Sequence, residues 1–577
     1  MVTGRDGGLN LDLFAGNLPD RAGTPVLSRL QIKTALFHFG VRNFIVPAFE
    51  LLHENPVMVK SSGFMDQVLT SRKTERFRIG ISLVFLAIVG LVAAEVTGDI
   101  SGKPILIAAA VIAGYMAINI GANDVANNVG PAVGSGAISL LAAVLLAAVF
   151  EAAGAIIAGG EVVSTIKNGI ISPHRLDDVQ TFVWLMTAAL LAGALWLNLA
   201  TWMGAPVSTT HSIVGGVLGA GIAAGGWGIA DWSVMGKIAA SWVISPVLGG
   251  LIAAFFLYAI KKTILYKSDL VASARRFVPW LVAIMAWAFG TYLMIKGVTK
   301  VVSVDFLGAT LVGLAFAIAV FVLVRIRVGQ KAATMENNAE GVNGLFVWPL
   351  IFAAGLLSFA HGANDVANAI GPLAAINDAL AESSIVTDAS IPLWVMLVGA
   401  LGLSVGLLLF GPRVIKVVGT EITDLDKTRA FCVALSAALT VILASQLGLP
   451  VSSTHIAIGG IFGVGFLQEY LKRSYASQVH TILERHTEED RARLQPFLDD
   501  FRNATVEEME ALLKQARKHK HRIPLSKKER KRLKKIYREE LVKRSHLIRI
   551  AAAWVVTVPV SAILAAVIYF TIRGVML

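Results

Sequence analysis

From residue 79 to residue 571 the chain alternates long apolar windows with short polar connections. Thirteen such windows fall near 79–97, 105–128, 137–158, 181–203, 206–226, 234–260, 278–297, 304–325, 345–370, 391–411, 428–447, 451–468 and 549–571. Each is close to the roughly 20 residues an α-helix needs to cross about 30 Å of hydrocarbon. The pattern predicts an all-α, polytopic membrane protein of about 12–13 transmembrane helices. The composition, 55% hydrophobic, agrees. The single cysteine, Cys432, excludes an internal disulfide and a thiol metal cluster. No cleavable secretory signal is expected, because the first long apolar window opens only near residue 79.

Charge orients the chain. Arg72, Lys73, Arg76 and Arg78 precede the first window, which puts the N-terminus in the cytoplasm of a cell (inner) membrane protein. Counting windows forward, Lys261, Lys262, Lys267, Arg275 and Arg276 fall on that same side. So do Arg325, Arg327 and Lys331, then Arg413, Lys416, Lys427 and Arg429, then the insert at 470–548. The connection at 371–390, with Asp378, Glu382 and Asp388 and no Lys or Arg, falls outside. Between Lys514 and Arg544 stand fifteen Lys or Arg against three Glu. In a membrane protein this run reads as a cytoplasmic face near anionic lipid, and nucleic acid is not expected as a partner. The expected organisation is an N-terminal extension at 1–78, with a surface amphipathic or packing helix at 27–52. A membrane region at 79–260 follows, then a linking loop with two helices at 261–344 and a second repeat at 345–468. The basic insert at 470–548, with a capped helix start near Ala504, and a final helix at 549–571 complete the chain.

Two motifs occur twice. Gly121-Ala-Asn-Asp-Val-Ala-Asn returns as Gly362-Ala-Asn-Asp-Val-Ala-Asn, and Pro206-Val-Ser-Thr-Thr-His returns as Pro450-Val-Ser-Ser-Thr-His. The offsets are nearly constant, 241 residues from Asp124 to Asp365 and 244 from His211 to His455. Seven windows separate the two acidic motifs, an odd number, so the copies run in opposite directions. That is the inverted repeat of secondary transporters, whose binding sites lie near the midplane.

Each motif brings its own chemistry. Pro206 and Pro450 suit a first helical turn, which would place Ser208, Thr209 and Thr210, and Ser452, Ser453 and Thr454, at helix N-termini. Free N–H groups, the positive dipole end and neutral hydroxyl donors together suit an oxyanion. Asn123, Asp124, Asn127 and Asn128 form a polar stripe on one helix face, repeated by Asn364, Asp365 and Asn368. A carboxylate at the centre of a membrane helix costs about 2.5–3.5 kcal/mol and marks function. With amide oxygens and carbonyls freed by Gly121, Gly130, Pro131, Gly362, Gly371 and Pro372, each stripe suits a small hard cation such as sodium at Asp124 and Asp365. Glu151 breaks the symmetry, for repeat alignment puts Leu403 opposite it. It is a candidate for binding a further cation, carrying a proton or pairing with a polar neighbour. His211 and His455 read as packing or gating residues. No carboxylate completes a triad with a hydroxyl, so no enzymatic chemistry is expected, and no cofactor beyond the coupling ion.

On these motifs, which cover roughly 105–230 and 345–468, the chain resembles the inorganic phosphate transporter family. The resemblance implies symport of inorganic phosphate with sodium, or with protons in some relatives, by alternating access and often as a homodimer. It implies cation binding at Asp124, Asn127, Asp365 and Asn368, and phosphate binding at the six hydroxyl residues. The Gly-Ala-Asn-Asp form is similar to the sodium-coupled branch. Against the simplest family pattern, the N-terminal extension, the insert at 470–548 and the span at 549–571 are additional. Sulfate or a metal–phosphate complex as cargo, and a non-transporting receptor, are the alternative readings.

Overall fold

The structure, a computed structural model, describes residues 72–98, 100–176, 178–203, 207–267, 269–297, 304–385, 391–421, 425–472, parts of 483–533, and 544–577. The expected helix at 27–52, Pro206 and the helix start near Ala504 lie outside the described residues. The apolar windows form α1 (Arg72–Val96), α2 (Lys103–Gly134), α3 (Leu140–Ala158), α4 (Gly160–Ser164), α5 (Val179–Met203), α6 (Thr209–Gly225) and α7 (Trp232–Ile260). They continue as α8 (Leu270–Lys296), α9 (Phe306–Ala332), α10 (Val347–Ala381), α11 (Leu393–Glu421), α12 (Lys427–Gln446), α13 (Ser453–Lys472) and α14 (Arg544–Met576). Among the described residues there is no strand, only one antiparallel bridge between Ile171 and Ala230.

Eleven of these helices are long and apolar enough to cross a membrane. The thirteen-window reading differs at 206–226 and 451–468, because α6 and α13 are the second arms of helix hairpins. The bridge makes this visible for the first hairpin. The Ser172 amide donates to the Ile229 carbonyl at 2.7 Å, and the Asp231 amide to the Ile170 carbonyl at 3.0 Å. The chain therefore enters α5 and leaves α6 at the same place, with Ser208 at the far end. A hairpin returns the chain to the side it left. The odd parity between α2 and α10, and so the inversion, is unaffected.

Glycines show how the repeats interlock. A methyl group placed on Gly121 would lie 2.0 Å from the Leu403 carbonyl oxygen, and one on Gly362 2.1 Å from that of Glu151. One on Gly406 would meet the Ile118 oxygen at 2.0 Å, and one on Gly154 the Phe359 oxygen at 1.9 Å. Exchanging residues by 241 positions in α2 and α10, and by 252 in α3 and α11, converts each contact into its partner. This reciprocity is what a two-fold relation between copies produces. Small residues let backbones touch where helices in lipid have little hydrophobic drive to associate.

The same exchange governs the hairpins. Gly215 and Gly219 of α6 abut α14, where an added methyl would lie 2.6 Å from the Val558 oxygen and 2.2 Å from that of Ala562. Gly459 and Gly463 of α13 abut Pro246 and Gly250 of α7 in the same way, at 2.1 and 2.0 Å. The final helix is therefore not an addition to the fold. It is the second-repeat counterpart of α7, displaced along the sequence by the basic insert.

Two expectations of local geometry change. The acidic motifs do not interrupt their helices, since α2 runs unbroken through Gly121 and Pro131 and α10 through Gly362 and Pro372. Their glycines serve close packing, and the chain breaks instead at the hairpin turns. Proline chemistry still frees carbonyls there: Pro131 has no N–H for the oxygen of Asn127, nor Pro372 for that of Asn368. Pro450 lies ahead of α13 rather than in its first turn, where its carbonyl accepts the Trp242 indole N–H at 3.1 Å.

Candidate functional site

The two hairpin turns meet inside the bundle, against the acidic stretches of α2 and α10. Ser208 caps α6 by accepting the His211 amide at 3.1 Å, and Ser452 accepts the His455 amide at 3.3 Å. Each caps its helix as an acceptor and keeps its O–H to donate. The next residues point into the site. Thr210 donates to the Val451 carbonyl at 2.9 Å, so the tip of one hairpin is bonded directly to the other. Behind them the His211 and His455 rings meet edge to face, 4.6 Å between centroids, and His211 packs on Trp242 at 3.8 Å.

The stripes expected on α2 and α10 divide into two jobs. Asn123 and Asn364 hold the turns of their own hairpins, through the Val207 carbonyl at 3.4 Å and the Leu449 carbonyl at 3.2 Å. Asn364 also takes the Val451 amide at 3.3 Å and donates to Ser445 at 3.0 Å. Asn127 and Asn368 reach across to the opposite hairpin. Asn127 donates to Thr454 Oγ1 at 2.7 Å, and Asn368 to the hydroxyls of Thr209 and Thr210, each at 3.2 Å. Between them lie the carboxylates. Thr454 donates to Asp124 Oδ1 at 3.2 Å, and Ser453 to Asp365 Oδ2 at 3.3 Å. Both aspartates are almost fully buried, 2% and 1% exposed. The oxygens Asp365 Oδ1 and Asn368 Oδ1 are buried without a hydrogen-bond partner among the described residues. A hard cation is the chemistry that satisfies such orphaned anionic and amide oxygens.

Glu151 and a residue absent from the sequence reading complete the cluster. Glu151 Oε1 accepts the Asn128 amide at 2.7 Å and lies 3.3 Å from His361 Nδ1. His361 Nε2 lies 3.0 Å from Asp365 Oδ2 and 3.8 Å from Asp124 Oδ2. His361 thus sits among three buried carboxylates. Its spacing of i, i+4 from Asp365 puts both on one helix face, which was the available signal.

Carboxylates and paired helix starts brought together inside a multi-pass apolar bundle, with two-fold related halves, are the architecture of a membrane transporter. The comparisons with known proteins are specific. The chain belongs to the phosphate transporter family, whose model matches residues 120–565 and so reaches into α14. A Helicobacter pylori (strain J99) protein described as "Putative phosphate permease" is 53% identical over 511 residues, spanning 86% of this chain and 96% of its own. A Chlamydia trachomatis protein of the same description is 41% identical over 385 residues, spanning 63% and 90%. A solved structure titled "The sodium-dependent phosphate transporter" superposes with a TM-score of 0.67 at 30% identity, covering 82% of this chain and 99% of that one.

Proposed function

We propose that the chain carries inorganic phosphate across the membrane in symport with sodium, by alternating access around the two hairpin tips. The observation that carries this reading is the bonding of each acidic helix to the opposite hairpin, Asp124 and Asn127 to Thr454 and Asn368 to Thr209 and Thr210. A cation at Asp124 or Asp365 bears on the same hydroxyls that would face the anion. Filling one position therefore shapes the other, which is what coupling requires.

In this reading the Thr209 hydroxyl and the N–H groups of the first turns of α6 and α13 hold phosphate by donation, and Thr210, Ser453 and Thr454 join them by turning their single O–H from Val451, Asp365 and Asp124 to the anion. Ser208 and Ser452 fix those turns as caps. Asp124, Asp365, Asn127 and Asn368 supply the cation oxygens, and Asn123 and Asn364 anchor the turns. Buried carboxylates repel a dianion unless cations accompany it, so phosphate alone is a poor cargo. Sodium is favoured because the donors are hard oxygens, and the solved relative is named as sodium-dependent. One observation supports a second cargo. Asp124, His361 and Asp365 lie close enough to share a metal ion, which suits a divalent metal–phosphate complex.

The test is uptake of labelled phosphate by liposomes holding the purified protein, with sodium and pH gradients imposed separately. Uptake driven by inward sodium at equal pH supports the reading. Equal uptake with and without any cation gradient refutes coupling. Competition by unlabelled sulfate, and dependence on added divalent metal, separate the alternative cargoes.

A further inference from the structure

The two repeats agree closely at the site, so the places where they disagree are informative. Several buried polar residues have apolar counterparts, and three of them stand together. Asn128 corresponds to Ala369 and His361 to Ile120 by the 241-residue offset, and Glu151 corresponds to Leu403 by the 252-residue offset. The packing reproduces that last correspondence, since Gly121 rests on Leu403 and Gly362 on Glu151. These three residues come from three different helices, α2, α3 and α10, yet they touch one another. Asn128 donates to Glu151 Oε1 at 2.7 Å, and Glu151 Oε1 faces His361 Nδ1 at 3.3 Å. All are buried, and Glu151 and His361 are 0% exposed. The far end of the chain of contacts is an aspartate of the proposed cation pair: His361 Nε2 lies 3.0 Å from Asp365, against 3.8 Å from Asp124.

The geometry points to Asn128, Glu151 and His361 as a single-copy positioning device that makes the two aspartate positions unequal, so that sodium fills them in order. This rests on the symport reading above. The cause is electrostatic. An oxygen that already faces an imidazole nitrogen has less to give a cation; at Asp365 that oxygen, Oδ2, also takes the Ser453 hydroxyl, and Oδ1 is left without a partner among the described residues. Asp124 is further from the ring and accepts Thr454 through its other oxygen, Oδ1. Glu151 Oε1 faces the ring at Nδ1 and is itself held by Asn128, as outer partners orient an imidazole at metal sites. A transporter with two identical cation positions has no preferred order. One buried asymmetric chain of contacts supplies it without disturbing the hydroxyl cradle.

The test titrates sodium into the purified full-length protein without phosphate, by calorimetry. The wild type is expected to show two binding steps whose constants differ by about tenfold or more, equivalent to about 1.4 kcal/mol. The variant Asn128→Ala, Glu151→Leu, His361→Ile copies the residues that the other repeat already carries, and removes all three polar groups together so that none is stranded. It is expected to bring the two constants within about threefold. The isosteric Glu151→Gln carries the test should the triple variant not fold, and is expected to shift the weaker constant while leaving the tighter one in place. A purely structural role would lower yield or thermal stability without changing the ratio of constants. Two ions binding in one step to the wild type, or an unchanged ratio in the variants, would overturn the proposal while leaving symport intact. A wild type that binds no sodium would overturn both.

Discussion

Adding one methyl group at Gly121 or Gly362 tests the crossed packing of the repeats. The methyl would lie 2.0 Å from the Leu403 carbonyl oxygen in the first case and 2.1 Å from that of Glu151 in the second. Close carbon–oxygen contacts in proteins are about 3.3 Å, so the helices must part by roughly 1.3 Å. The obstructing atom is backbone, which cannot swing aside. Overpacking of this kind costs about 1–3 kcal/mol and sometimes more. The displacement falls at Asp124 and Asp365, three residues further along each helix, and misplacing reacting groups by about 1 Å can cost about 10²-fold in rate. Gly121→Ala and Gly362→Ala are therefore each expected to lower phosphate uptake in liposomes by at least about tenfold, and to similar degrees. Gly130→Ala is the control. It lies in the same helix with nothing within 4 Å of the added atom, and alanine is intrinsically better there by about 0.5–1 kcal/mol. Uptake and thermal unfolding measured side by side decide the matter. Equal behaviour of Gly121→Ala and Gly130→Ala would refute the close approach of α2 to α11.

Three further outcomes follow from particular contacts. Ser208→Ala and Ser452→Ala each remove a cap worth about 1 kcal/mol, so both should lower the thermal midpoint alike, and glycine at either position should restore most of it. Lys167 and Asp378 form a buried ion pair between the π-helical turn Thr165–Gly169 and the end of α10. Asp378→Asn is expected to destabilise by about 3–5 kcal/mol, with Lys167→Met, Asp378→Leu together much milder; equal losses in thermal unfolding would count against pairing. In the basic insert, burial raises the Glu529 carboxyl. The Ser526 hydroxyl and amide and the charge of His486 outweigh that, and hold it below the ordinary carboxylate value. A depressed carboxylate stabilises above its unfolded pKa of about 4.3 and loses that contribution as pH falls through the folded value. Hydrogen exchange should thus show the segment around Ser526 opening as pH falls below about 4, and Glu529→Gln should already be open at neutral pH.

Much of this arrangement was legible in the sequence because duplication supplies its own control. Apolar runs located the helices, and repeated Gly-Ala-Asn-Asp and Pro-Val-Ser motifs located the residues that now meet at the tips. Hydrophobicity could not separate α6 and α13 from full spans, because a hairpin arm inside a bundle is as apolar as a helix in lipid. The counterpart relation between α14 and α7 was hidden by the insert, which breaks the constant offset that revealed the other pairs. His361 was missed since it lies one residue outside the repeated motif, where its counterpart is Ile120. Its meaning depends on Glu151, some 210 positions away, and only the fold brings them to 3.3 Å.

The central claim is that phosphate sits between the starts of α6 and α13 beside the two aspartates. Arsenate, a heavier phosphate analogue, makes that visible through anomalous scattering from crystals grown with sodium. The account predicts one anomalous peak within hydrogen-bond reach of Thr209 or Thr210 and of Ser453 or Thr454, lost when sodium is replaced by choline. A peak elsewhere in the bundle, or one that persists unchanged without sodium, would contradict it.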